Sequence, residues 1–420
     1  MTPVLAMKKY VLLLAVILAA PASAAVYYAD RVNGSDLASG RSPDQPWQTL
    51  ARAAAQQLQP GDSLLLKRGD VWNEPLILAS SGAPLAPVTI GAYGDAADPA
   101  PVLDGTGVLS AASNGLLKAH GLHDLVISAI AVRNSLGAGI NVYGGTSIRI
   151  RDVTVSGSRT FGILVYNSND VAIEDSQIFG NALDTTASWD GIRIDGDANT
   201  YRRFLIRNNS IHHQIGGAGW NSANGIFLGH TTPAFTTLQD VRIAGNDVYA
   251  NGNPAQNQAG RGITGTFHGD VKVIGNYIHE NASAGLYLGN EGMRLDILLE
   301  NNTFYDNALR QYGGYTATRA CARRNLVLVD RPAITAMGVE IGGSGSWRIE
   351  QNTFCYLTPT SDTFRGYIRL NDAATQPGLI SNHNLFYSVT PLAWVLPSGA
   401  RVTFSQWQSL GFDLESQNPQ

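Results

Sequence analysis

Three features of the sequence predict an all-β repeat protein, a parallel β-helix of about ten coils. They are a recurring Asn-led unit, a glycine-led unit ahead of it, and a composition with few helix-forming runs. The Asn-led unit reads Asn209-Ser-Ile-His, Asn246-Asp-Val-Tyr, Asn276-Tyr-Ile-His, Asn302-Thr-Phe-Tyr, Asn325-Leu-Val-Leu, Asn352-Thr-Phe-Cys and Asn384-Leu-Phe-Tyr, at intervals of 37, 30, 26, 23, 27 and 32 residues. The glycine-led unit reads GINVYG (139–144), GILVYN (162–167), GIRIDG (191–196), GIFLGH (225–230), GITGTF (262–267), GLYLGN (285–290) and GVEIGG (338–343). A core period near 23 residues with variable insertions fits one solenoid coil, in which each unit buries its apolar face against its neighbours.

Asn is a poor strand residue. Its recurrence beside a fixed apolar pattern therefore predicts an internal ladder, with Asn246, Asn276 and Asn302 stacked in one column. Counting back from that Asn, positions −5 and −3 are the expected buried strand positions: Val241/Ile243, Val271/Val273, Ile297/Leu299 and Trp347/Ile349. The 45 glycines among 420 residues suit a turn-rich chain. A solenoid also removes the size limit on a single globular core.

The first residues carry a targeting pattern. Lys8 and Lys9 precede an apolar run, Val11–Ala20, and Ala22-Ser23-Ala24 offers small residues for cleavage. This is expected to be a signal peptide over 1–24, giving a secreted or periplasmic protein. Removing it takes away two lysines and no acid, leaving 27 basic against 33 acidic residues. That balance argues against nucleic acid and membrane as partners, and a monomer is expected. The ladder register sets Cys321 and Cys355 about seven residues apart along neighbouring coils, roughly 23 Å. A disulfide needs Cα atoms within about 7 Å, so two free thiols are expected.

These features resemble the secreted right-handed parallel β-helix proteins of the pectate-lyase-like superfamily. The opening YYADRVNGSDLASGRSPDQPWQTLARA (27–53), PGDSLLLKRGDVW (60–72) and VTIGAYG (88–94) adds to the likeness, as does the closing FSQWQSLGFDLES (404–416). The resemblance implies an N-terminal cap over 25–84 with an amphipathic helix at Trp47–Leu58. It also implies a β-helix over 85–395 and a C-terminal segment over 396–420.

Polar groups concentrate in the coils spanning 189–291, beside the longest insertions, where loops on a rigid scaffold collect binding residues. WDGIRIDG (189–196) brings Asp190, Arg193 and Asp195 onto one short strand. Stacking the glycine-led units extends this into a groove with Asn224, His230, Arg261, His268 and Tyr287, flanked by Trp189, Trp220 and Glu291. Trp189, Asp195, Trp220, Asn224 and Glu291 are the candidate substrate contacts. The bland alternative is a solvated face with Arg193 paired to Asp190 or Asp195.

Two chemistries compete for such a groove. β-Elimination on a uronate polymer needs a cation for the carboxylate and groups to move the C5 proton and protonate the leaving oxygen. Arg193 and Arg261 suit the first role; His230, His268 and Tyr287 suit the second. Hydrolysis needs two carboxylates at a set spacing, which Asp190 with Asp195 or Glu291 would supply. The reading adopted here is a lyase acting on an acidic polysaccharide. A glycoside hydrolase is the first alternative and a non-catalytic polysaccharide-binding or surface solenoid the second.

The family motifs match in fragments. Ser188-Trp189-Asp190-Gly191 resembles the Asn-Thr-Asp-Gly of polygalacturonases through Asp190. Gly229-His230-Thr231 resembles their Gly-His-Gly, while their Asp-Asp pair has no counterpart. His268-Gly269 follows Phe267 where alginate and chondroitin lyases of this type carry Arg, and their Ser-Lys-Ser is absent. So is the Asp-Pro-His-Asp of alginate epimerases.

Both Arg193 and Arg261 are expected to project outward, within roughly 10 Å of each other, so that losing either costs activity and not stability. No cofactor or metal is expected, although Asp184, Asp190, Asp195 and Asp197 are candidates to converge on calcium. His212-His213 has no further partners at zinc-ligand spacing. On the Asn-led sheet Lys272 stacks over Arg242, with Arg207, Glu300, Arg323 and Glu350 in the adjoining column, which reads as a solvated face.

Overall fold

The computed structural model describes residues 24–419 apart from 109–114, 217–221, 230–235, 254–259, 290–292, 316–318, 332–336, 344 and 360–364. Three long sheets run the length of the molecule. Within each, almost every neighbouring pair of strands is parallel and comes from successive coils. One turn of the solenoid takes a strand from sheet 1 (Thr200–Arg207), one from sheet 2 (Ser210–His212) and one from sheet 3 (Ala223–Gly229). It then returns to sheet 1 at Thr237–Ala244. Among the described residues sheets 1 and 3 have 13 strands each and sheet 2 has 12, more than the ten coils expected. The extra coils come from the segment expected to be a cap: Val26–Ala29 pairs with Ser63–Lys67, which pairs with Val88–Tyr93.

The predicted interior positions are buried: Val241, Ile243, Val271, Val273, Ile297, Leu299, Trp347 and Ile349 are all at most 4% exposed. The Asn column stacks as expected. The Asn246 side chain donates to Asn276 Oδ1 at 2.9 Å and Asn276 to Asn302 Oδ1 at 3.0 Å. Asn246 Nδ2 also reaches back to the Ile206 carbonyl of the preceding coil at 2.9 Å. Each amide thus joins two coils and satisfies backbone groups that a bend would otherwise orphan. The residue before each rung is in the left-handed region, as at Gly245 and Gly275 with φ 64 and 65, which glycine adopts without strain.

A second ladder, between sheets 2 and 3, was not read from the sequence. Asn181, Gln214, Asn251, Asn281 and Asn307 form it, with Asn251 donating to Asn281 Oδ1 at 2.9 Å and Asn281 to Asn307 Oδ1 at 2.8 Å. The last four rungs each lie five residues after a rung of the first ladder, so a fixed offset could have found them. This ladder explains the glycine-led units. A Cβ at Gly191, Gly225 or Gly262 would come 2.9 Å from the amide nitrogen of Gln214, Asn251 or Asn281.

The expected helix at Trp47–Leu58 is shorter, Leu50–Ala54, capped by Thr49, whose side chain accepts from Arg52 N. Leu50 and Ala53 seal the first coil. At the other end Phe404–Ser409 is a helix with a capping box at Thr403 and Gln406, and it buries Trp407 over the last coil. Cys321 and Cys355 are free thiols on sheets 1 and 2. Among the described residues no helix is long and apolar enough to cross a membrane.

Candidate active site

The groove foreseen over 189–291 corresponds to the outer face of sheet 3. Parallel register arranges it in two rows. The row before the glycines runs Asp190, Asn224, Arg261, Ala284, Arg310; the row after them runs Arg193, Phe227, Thr264, Tyr287, Gly313, Glu340.

At the first coil the charges satisfy one another. Arg193 grips Asp190 Oδ2 through both Nε and Nη2 at 2.7 Å, and Asn224 donates to Asp190 Oδ1 at 2.8 Å. Arg193 Nη1 lies 3.9 Å from Asp195. Its guanidinium sits 5.0 Å from the Phe161 ring centre and 4.2 Å from that of Phe227, on the coils below and above. Asp190 is fully buried, Arg193 is 8% exposed and Asp195 4%. The expectation that Arg193 projects freely is therefore overturned: it leaves the solenoid core outward, but neighbouring coils cover it. Burial pushes the Asp190 carboxyl up, against the pull of Arg193 and Asn224.

Two coils on, the arrangement opens. Arg261 Nη1 donates to Thr264 Oγ1 at 3.3 Å, its Nε is buried without a hydrogen-bond partner, and among the described residues no carboxylate pairs with it. Its guanidinium lies 5.7 Å from the Tyr287 ring centre, and that of Arg310 lies 4.7 Å away. Arg310 contacts Glu340 at 3.0 Å, and Glu340 accepts from Asn371 at 3.1 Å. Gly313 separates Tyr287 from Glu340 in the row and carries no side chain, so Arg310 can reach both. Tyr287 is half-buried. Burial holds its phenol above the ordinary value, against Arg310 and Arg261, while burial and then Arg310 lower the Arg261 value.

The other candidates divide. Trp189 packs its ring edge against Phe161 at 5.0 Å, and Asn224 is tied both to Asp190 and to the Arg261 backbone N–H. His268 is a correction. Expected in the groove built from the glycine-led units, it begins a strand of sheet 1 instead, His268–Ile274, in register with Thr237, and its Nδ1 accepts from Arg294 N at 3.0 Å. His230, Trp220 and Glu291 lie outside the described residues. The four acids offered for calcium do not assemble: Asp184 pairs with Arg159 at 3.2 Å, and no three His, Cys, Asp or Glu side chains converge among the described residues.

Sequence reading missed Arg310. Its strand lacks the leading glycine because Gln311 occupies that position and ends the second ladder, accepting from Asn307 at 2.9 Å. The 23-residue interval between Asn302 and Asn325 was the available signal, since it must hold a full coil.

Sheets, ladders and an outer-face cluster define a parallel β-helix with polar and charged side chains gathered on the outer face of sheet 3. The chain belongs to the family described as right handed beta helix region, which matches residues 112–212 and 185–354. The lacto-N-biosidase of Bifidobacterium longum subsp. longum is 39% identical over 90 residues; the match takes in 20% of this chain and only 6% of that protein's length. Among solved structures, a rhamnogalacturonan lyase is 16% identical with a TM-score of 0.58, over 75% of this chain and 84% of its own. Pectate lyase Pel9A is 18% identical at 0.50, over 75% and 80%. The Streptococcus pneumoniae surface adhesin PfbA is 12% identical at 0.54, over 84% and 88%. At these identities the structural likeness is one of fold.

Proposed function

We propose that the chain is a secreted carbohydrate-active enzyme that cleaves an acidic, uronate-containing polysaccharide by β-elimination, centred on Arg261, Tyr287 and Arg310. The observation that carries this reading is Arg261, a half-buried cation with no carboxylate partner among the described residues, set beside a phenol that a second guanidinium also contacts. In this reading Arg261 takes the substrate carboxylate and thereby acidifies C5–H. Tyr287, as phenolate, removes that proton. The C4–O bond then breaks as the C4–C5 double bond forms, and Tyr287 returns the proton to the leaving oxygen. Arg310 favours the phenolate form, against the burial that opposes it. The test is incubation with polygalacturonate and alginate while following the ultraviolet absorbance of the unsaturated product. New reducing ends without that absorbance would replace elimination with hydrolysis.

Hydrolysis is the second reading, on a separate observation. One guanidinium spans Asp190 and Asp195, so their carboxyl groups are as close as glycosidase pairs, about 5–9.5 Å. The short match to a lacto-N-biosidase supports it as well. Against it, Asp190 is fully buried with both oxygens bonded.

A further inference from the structure

Away from the candidate site, the outer face of sheet 1 carries two concave spaces of about 560 and 420 Å³ that follow one another along the solenoid. The central row of the first is Arg149, Ala172, Leu205, Arg242 in consecutive coils. The second repeats the order, Lys272, Leu298, Cys321, Arg348. Each space therefore holds two cations with two apolar steps between, three strand spacings apart, on the order of 14 Å, and the row runs on to Val126 beyond Arg149 and to Ile380 beyond Arg348.

Arg242 and Lys272 meet in register where the two spaces join. Both are exposed, and neither has a carboxylate within ion-pair distance among the described residues. By contrast Arg149 pairs with Glu174 and Arg348 with Glu350. Like charges directly opposite on neighbouring strands repel, so folding alone does not account for the pair.

Asp170, Asp240, Asp270 and Asp296 line the same two spaces. This flanking row carries both signs: Arg203 pairs with Asp170 at 3.7 Å and Arg319 with Asp296 at 2.7 Å, which leaves Asp240 and Asp270 without a basic partner within ion-pair distance among the described residues. Asp240 and Asp270, set beside Arg242 and Lys272, disfavour a plain polyanion such as nucleic acid, whose phosphates would meet them. The face suits a ligand carrying carboxylates, hydroxyls that donate to Asp, and flat C–H faces for the apolar steps. An acidic glycan has all three.

We infer that the outer face of sheet 1 is a second binding site, taking an extended carboxylated glycan along the row from Arg149 to Arg348. This site is separate from sheet 3 and independent of the elimination reading. Cys321 reports on it directly, because its half-buried thiol lies in the floor of the second space, while the half-buried Cys355 thiol on sheet 2 does not.

The test is alkylation of the native protein at mildly alkaline pH, followed by mass spectrometry of both cysteines, with polygalacturonate, alginate or neutral dextran added. At about ten times the dissociation constant of the bound polymer, roughly a tenth of the sites stay open. Cys321 should then react about tenfold more slowly with at least one acidic polymer, and Cys355 at its usual rate. The Arg242→Ala/Lys272→Ala variant should need about ten times more polymer for the same protection, with elimination from short oligosaccharides unchanged. Cys321 reacting equally fast with and without both acidic polymers would overturn the inference, as would equal protection by dextran. Protection of Cys321 in a protein that releases no unsaturated product would uphold this site and remove the lyase reading.

Discussion

Arg193 and Arg261 leave the same sheet in the same outward direction, two coils apart, and they do opposite things. Arg193 spends its donors on Asp190 and lies between Phe161 and Phe227. Arg261 has a threonine hydroxyl, a phenol ring nearby and no acid among the described residues. The first arrangement resembles a core built outside the core, in which charge is stable because it is paired and dry. The second holds a cation whose compensation is still to come. Availability of charge, rather than its presence on the outer face, separates scaffold from site.

The largest expected effect tests the first half of that contrast. Removing one partner of a buried ion pair leaves the other uncompensated and costs about 3–5 kcal/mol. Arg193→Ala and Asp190→Ala should each lower the unfolding free energy by that amount in urea titrations. The double variant should lose clearly less than the two together, because the partners are coupled. If Arg193→Ala unfolds at the wild-type midpoint, the pair is not holding the coils and Arg193 returns to the list of available cations.

The second half predicts the reverse pattern. Arg261→Ala should leave the urea midpoint nearly unchanged, because the lost side chain had no charged partner, while kcat/KM on an acidic polymer falls about 10²–10³-fold. Tyr287→Phe should lose at least as much. The pH profile carries a sign. The Tyr287 phenol lies above its ordinary value, so at neutral pH only a small fraction is phenolate. A base used in that form makes the rate climb about tenfold per pH unit from neutral upward until the phenol titrates. A rate that is flat from about pH 6 to 9 assigns proton removal elsewhere.

How much of this was legible depended on what each residue's neighbours do. The Asn246–Asn276–Asn302 ladder could be read because Asn is costly in a strand unless its amide is used, so recurrence alone implied stacking. The strand alternation of WDGIRIDG correctly sent Arg193 outward. It could not show that Phe161 and Phe227, far away in sequence, would close over it. Arg310 was hidden for a local reason, since Gln311 replaces the glycine that marked every other strand of the row. His268 was misassigned because the turn out of sheet 3 is a single residue here, Phe267 between Ile263–Thr266 and His268–Ile274, so a count from Gly262 has already entered the sheet 1 strand.

The smallest expected effect separates the two ladders. Asn276 and Asn281 are equivalent as rungs, each buried and each donating to an Asn above and a carbonyl below. Replacing either by Ala orphans buried groups at about 1–3 kcal/mol, so the losses of stability should be similar. Their surroundings differ. Asn276 lies between sheets 1 and 2, remote from the sheet 3 face. The Asn281 amide packs against Gly262, and Gly262 adjoins Arg261, whose backbone N–H is tied to Asn224. Loss of that rung frees the backbone carrying the available cation. Asn281→Ala should therefore also lower kcat by a few-fold, while Asn276→Ala should leave kcat at the wild-type value when both are assayed well below their unfolding midpoints. Equal kcat for the two variants would mean that Arg261 is positioned by its own coil, and that the second ladder only holds the solenoid together.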